Sequence, residues 1–127
     1  MPAAQDVREE RDLLKFVYAA FNRRDIEAIL PKMHPLVEWP NGMEGGWVHG
    51  HEGVRQYWER QWEVVDPHVE PVSIEAAEDG HTIVNVHQMV RDVKGTVLVD
   101  RMVQHVYRIA SGLIEGMEIR EQPRAGW

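Results

Sequence analysis

HTIVNVHQMVRDVKGTVLVDRMVQHVYRI, residues 81–109, decides the fold. Val, Ile and Thr recur at alternate positions on both sides of Lys94-Gly95, the pattern of two strands joined by a tight turn. Outward from this pair, Val69 to Ala77 precedes it across Asp79-Gly80, and Leu113 to Glu121 follows it across Ser111-Gly112. Turns this short make neighbouring strands antiparallel, so His81–Val93, Thr96–Ile109 and Leu113–Glu121 form a meander with Val69–Ala77 beside it.

The N-terminal half has a helical period instead. Asp6, with Glu9 three residues on, caps a helix over about residues 6–22 whose apolar stripe is Leu13, Leu14, Val17, Ala20 and Phe21. Asp25 caps a short second helix carrying Ile26, Ile29 and Leu30, which Pro31 interrupts. Leu36 to Trp39 reads as a short strand stopped at Pro40, and Asn41-Gly42 with Gly45-Gly46 makes the next segment a loop. A third helix starts near Gly50, presents Val54, Tyr57, Trp58, Gln61, Trp62 and Val65 on one face, and ends at Asp66-Pro67. Helices followed by a meander give an α+β domain in which the sheet curls into a half-open cone around three helices. The tail from Gln122 to Trp127 has no periodicity.

The composition limits the function. With 127 residues, 43% of them hydrophobic, the chain makes one domain, spanning residues 1–127, with a real core. A net charge of -7 leaves no cationic surplus for phosphates, so nucleic acid is not an expected partner. No run approaches a membrane span and MPAAQDVREERD lacks the apolar segment of a signal peptide, so a cytoplasmic protein without a membrane partner is expected. There is no cysteine for disulfide or thiolate chemistry. His49-x-His51-Glu52 has ligand density without a third cluster, so no metal is expected, and no dinucleotide or phosphate-loop motif implies a cofactor.

Several segments resemble the nuclear transport factor two-like superfamily in its SnoaL-like, ketosteroid-isomerase-like branch. These are YAAFNRRDIEAIL (18–30), VEWP (37–40), VHGHEGVRQYW (48–58) and GLIEGMEIREQP (112–123). The resemblance implies the cone-shaped fold, an apolar pocket in its open end, and a homodimer formed through the outer face of the sheet. The steroid isomerase's base corresponds to Trp39, its oxyanion tyrosine to about Val17 and its second acid to about Gln104, so that machinery is absent. The epoxide hydrolase acid falls near the apolar Ile119.

The strand parity taken from the resemblance turns Asn85, His87, Met89 and Arg91 into the cone, with Asp100, Met102 and Gln104 opposite them. It leaves Val84, Val86, Val90, Val97, Val99 and Val103 outside, to be covered by a second subunit. The reverse parity would put the valines in the core and the polar set in solvent, and one bulge exchanges the two. On the first parity His87 is the proton-transfer group and Asp100 orients it, with a scaffold pairing of Asp100 and Arg91 as the plainer reading. Gln104 binds a substrate oxygen. Trp39, Trp58, Trp62, Tyr18, Met89, Arg91 and Met102 complete a site for a small apolar molecule. Tyr18 reaches it only if the first helix is rotated slightly. His49 and His51 are expected at the mouth of the cone, His81 and His105 at the outer face or a turn, and Glu38 is expected to point away. The function expected is cofactor-free isomerisation, cyclisation or dehydration of a ring-bearing substrate. The alternative is a catalytically silent ligand-binding or dimerisation module.

Overall fold

The computed structural model describes the backbone of residues 4–121, with side chains from residue 7 onward. The cap assigned to Asp6 and the tail Gln122–Trp127 lie outside the described residues. Helix α1 (Ala4–Asn22), helix α2 (Ile26–Ile29) and a 3₁₀ turn (Leu30–Lys32) lead into β1 (Met33–Pro40) and β2 (Trp47–His49). Helix α3 (Gly50–Val64) then precedes β3 (Val65–Ala76), β4 (Thr82–Asp92), β5 (Val97–Ala110) and β6 (Leu113–Glu121). The strands form one curved, unclosed sheet in the order β2-β1-β6-β5-β4-β3, with β1 parallel to β6 and the other pairs antiparallel.

The expected α+β cone is the observed architecture, with differences at strand ends. Segment 47–49, expected as loop, pairs through Trp47 with Pro40 as β2, and β1 starts at Met33 instead of Leu36. Helix α3 passes straight into β3, which contains Asp66-Pro67 and Pro71. Prolines are tolerated there because β3 is an edge strand, where a missing N–H breaks no ladder. The β5–β6 turn is a two-residue hairpin loop, Ser111-Gly112, with φ of 53° and 77°, the doubly positive pair that matches strand twist.

Parity is the main correction. Val84 pairs with His105, Val86 with Val103 and Thr82 with Tyr107, and all six are buried on the face that meets the helices. Leu14, Val17 and Tyr18 of α1, and Val54, Tyr57 and Trp58 of α3, supply the other half of that core. The reverse of the preferred parity therefore holds. An apolar row opposite two amphipathic helices removes far more apolar surface from water than a polar row would. Val84, Val86 and Val103 of the apolar row on which two copies were expected to pair are buried in the inner lining, and only Val97, beyond the register shift, stays exposed on the outer face, so most of that reason for a homodimer lapses.

Helix α1 is tied to the edge strand by one side chain. The Asn22 carboxamide donates to the Val69 carbonyl at 2.8 Å and accepts from the Val69 amide at 3.0 Å, acting as a short piece of neighbouring strand. Asn22→Ala should remove both bonds from a half-buried place and cost about 2 kcal/mol, lowering Tm by about 8 °C. Asn22→Asp, which keeps the acceptor, should fall between the two in thermal unfolding.

Candidate functional site

The open end of the cone holds a cavity of about 70 Å³ between α1, α3 and the inner face of the sheet. Helical spacing brings Val17, Tyr18 and Phe21 to it from α1, and Tyr57, Trp58 and Gln61 from α3. Trp39 closes one side from β1, packing edge-on to Trp58 with ring centroids 5.6 Å apart. Gln88, His105, Tyr107 and Met117 rise from the sheet. Among the described residues, no Asp, Glu, Lys or Arg lines the cavity.

Its polar floor is a chain of three side chains. Tyr107 donates its hydroxyl to the Tyr18 hydroxyl at 2.8 Å, and Tyr18 in turn meets His105 Nδ1 at 2.7 Å. The Tyr18 and His105 rings are stacked, 5.8 Å apart, and Tyr107 stands edge-on to Tyr18. Burial pushes the His105 imidazole down to about 4 and the Tyr107 hydroxyl well up. The Tyr18 hydroxyl is also raised, by burial first and by Tyr107 second. All three groups are therefore neutral near pH 7, which suits a floor without counter-ions.

Two proton arrangements satisfy this geometry. With the imidazole proton on Nε2, Tyr18 donates to Nδ1 and Nε2–H is free to donate to a ligand. With the proton on Nδ1, Tyr18 accepts from both His105 and Tyr107. Nε2 then presents a lone pair, and the Tyr18 hydroxyl proton is left for a ligand oxygen. His105 Nε2 has no hydrogen bond among the described residues.

Of the residues expected in the site, Tyr18, Trp39 and Trp58 line the cavity, and Tyr18 reaches it without any rotation of α1. Trp62 lies behind, stacked on Trp58 at 5.9 Å, with the Arg24 guanidinium 5.1 Å from its ring. The rest of the set is on the opposite face. His87 does meet Asp100, at 2.6 Å, but the two side chains are 42% and 53% exposed, so the pair is an outer-face ion pair and not a pocket dyad. Asp100 pairs with His87 and not with Arg91. Gln104 donates to Asn85, which donates to Ser73, a polar row across the outer face, and Met89, Arg91 and Met102 share that face. His51 is bound to the Met33 carbonyl at 2.8 Å, and exposed His49 lies 3.4 Å from Glu38, which points outward; neither histidine lines the cavity. His81 sits at a turn as expected, 3.1 Å from Asp79.

His105 and Tyr107 were missed through the parity error alone. They alternate with Val103 on the apolar row of β5, so placing the valines inside places them inside too. Gln61 was read as part of the apolar face of α3 without a role. Among the described residues no three metal-ligating side chains come together, and no helix is long and apolar enough to cross a membrane.

A curved, unclosed sheet wrapped on three helices is the architecture of the nuclear transport factor two-like fold. The family is equally plain: residues 14–117 match the model of the SnoaL-like domain, and the chain belongs to that family. Among solved structures it is similar to TerC, co-crystallised with polyporic acid, at 28% identity and a TM-score of 0.77, over 90% of this chain and 92% of that one. A nuclear transport factor two-like protein of unknown function from Burkholderia pseudomallei is 24% identical over 90% and 91% of the two chains, with a TM-score of 0.77. SalBIII, an epoxide hydrolase/cyclase-like enzyme in pyran ring formation in the polyether salinomycin, shares the fold at 18% identity, a TM-score of 0.76, and 91% and 92% coverage. No curated protein matches the chain by sequence.

Because the His105 imidazole titrates near 4 in the fold and near 6.5 when unfolded, the unfolded chain binds the extra proton first as pH falls. The stability His105 contributes by staying neutral is complete above about pH 6.5 and is lost towards pH 4, by roughly 3 kcal/mol. In urea unfolding at a series of pH values, His105→Gln should show a shallower decline than the wild type across that window. Parallel curves would contradict the burial of a neutral imidazole.

Proposed function

We propose that this protein is a cofactor-free enzyme of isomerase, cyclase or dehydratase type acting on an apolar, ring-bearing compound. His105 moves the proton and Tyr18 holds the substrate oxygen. The observation that carries this reading is the Tyr107–Tyr18–His105 chain set in the floor of a mostly apolar, aromatic cavity. TerC, which is similar to this chain, was co-crystallised with polyporic acid, and that supports a small organic ligand for a protein of this fold.

The chemistry follows from the second proton arrangement. Nε2 of His105 removes a proton from carbon next to a carbonyl, and the electron pair moves onto the carbonyl oxygen. The Tyr18 hydroxyl donates to that oxygen, strengthened as a donor because its own oxygen already accepts from Tyr107 and Nδ1. Returning the proton to another atom completes an isomerisation. Expelling a β-hydroxyl with it completes a dehydration. Trp39 and Trp58 exclude water and press on the ring.

A silent ligand-binding module is the second reading, favoured by the lack of any carboxylate in the cavity lining among the described residues. Exchange of the activated C–H protons of 2-tetralone in D₂O, followed by NMR, separates the two. The wild type should accelerate exchange, His105→Phe should lose about 10²–10⁴-fold of that rate, and Tyr18→Phe about 10²–10³-fold. Saturable binding of 2-tetralone with no acceleration would leave only the binder.

A further inference from the structure

The inner rows of β4 and β5 run from the buried floor out to the open end of the cone, and they finish in a cation. Val84 pairs with His105 and Val86 with Val103, and the next pair along the same rows is Gln88 with Arg101. The register does not shift until Val90, so Gln88 and Arg101 turn to the inner face with the pairs before them, and Gln88 lines the cavity. Arg101 is exposed, and its Nε donates to the Gln88 side-chain oxygen at 3.5 Å. Its guanidinium therefore stands at the mouth of the cavity, next to a side chain that forms the wall.

This guanidinium is left without a counter-ion. Arg23, Arg24, Arg55, Arg60, Arg108 and Arg120 each have a carboxylate partner. Arg101 has no ion pair among the described residues, and the contact with Gln88 is its one side-chain hydrogen bond there. Glu121 of β6, opposite Val103 on the same face, is the diagonal carboxylate and does not pair with it. With Nε turned to Gln88, the free part of the group is the end-on fork of Nη1 and Nη2, whose parallel N–H bonds match the two oxygens of a carboxylate.

A carboxylate suits this place better than a phosphate. At the mouth it keeps water on its outer side, and the single charge of Arg101 balances one negative charge, not the nearly two of a phosphate monoester at neutral pH. From His105 to Arg101 the extended strand rises about 13 Å, the span of a fused bicyclic ketone with a carboxylate on its far ring and a hydrogen bond at each end.

We propose that the ligand is a ring ketone bearing one carboxylate on the edge away from the carbonyl: the carbonyl oxygen meets Tyr18 and His105, the ring fills the apolar cavity, and the carboxylate lies in the fork of Arg101 at the mouth. This rests on the proposed pocket and adds the substrate class. Arg101 is then a specificity-determining residue that takes no part in the proton transfer.

Calorimetric titration with two acids, each against its own methyl ester, tests it: 6-carboxy-2-tetralone and 4′-acetylbiphenyl-4-carboxylic acid. In the wild type at low salt the acid of at least one pair should bind about tenfold more tightly than its ester, and the preference should shrink in about 0.5 M NaCl. Arg101→Gln should bring the ratio to about one, and Arg101→Lys, which keeps the charge without the fork, should fall between. Acids that bind no better than their esters in both pairs, or a preference unchanged in Arg101→Gln, overturn the carboxylate subsite and leave the pocket standing. Failure of all four compounds to bind the wild type overturns the pocket reading, and this inference with it.

Discussion

The register between β4 and β5 fixes the contents of the interior. With Val84 opposite His105 and Val86 opposite Val103, Thr82, Val84 and Val86 of β4 and Val103, His105 and Tyr107 of β5 turn towards the helices, and Asn85, His87 and Gln104 between them turn to the outer face. A slip of one position would bury His87, Asp100 and Gln104 beneath the helices and expose the valines. Three polar or ionisable side chains would lose water without preformed partners, at a cost that a marginally stable domain of this size cannot carry. The aromatic pocket, its polar floor and the outer ion pairs are all consequences of that single choice.

The buried polar floor survives because its groups satisfy one another. A lone imidazole under two helices would be a liability, yet His105 has Tyr18 at 2.7 Å, and Tyr18 has Tyr107 at 2.8 Å. Satisfied networks of this kind specify one arrangement of a core, and an incomplete one costs more than an apolar replacement. The network leaves a ring nitrogen and a hydroxyl beside the cavity, which an apolar replacement would not. Trp39, Trp58 and Phe21 surround it with area that excludes water, so a hydrogen bond made there is worth more than one made at the surface.

How much of this was legible in the sequence depends on how local the cause is. Stripes such as Leu14, Val17 and Phe21, or Val54 and Trp58, are set by helical spacing, and turns such as Ser111-Gly112 by the φ values they demand, so the elements and the α+β class could be read directly. Trp39 and Trp58 reach the pocket because they follow from those elements. Pro67 was read as a terminator because its tolerance depends on β3 being an edge strand, which only the sheet order reveals. The strand parity failed at one non-local point. Nothing within β4 alone says which face meets the helices, and the parity borrowed from relatives overrode the plainer signal that an apolar row belongs against apolar helices. That one reversal brings His105 and Tyr107 to the cavity lining and leaves His87 and Gln104 on the outer face.

An imidazole pushed down to about 4 by burial is a weak base on its own, and this bears on the proton transfer proposed for the pocket. Proton transfer to His105 in so apolar a place is unfavourable unless a negative charge forms beside it in the same step. Abstraction from carbon next to a carbonyl meets that condition, since the oxygen that becomes anionic is held by Tyr18, which is hydrogen-bonded to the imidazole itself. The imidazolium and the oxyanion appear together, within a low-dielectric cavity where their attraction is strong. A substrate without an electron-accepting oxygen would leave the imidazolium uncompensated. In the proposed reaction, the burial that makes His105 a poor base for most compounds would favour those that can take up charge at the Tyr18 hydroxyl.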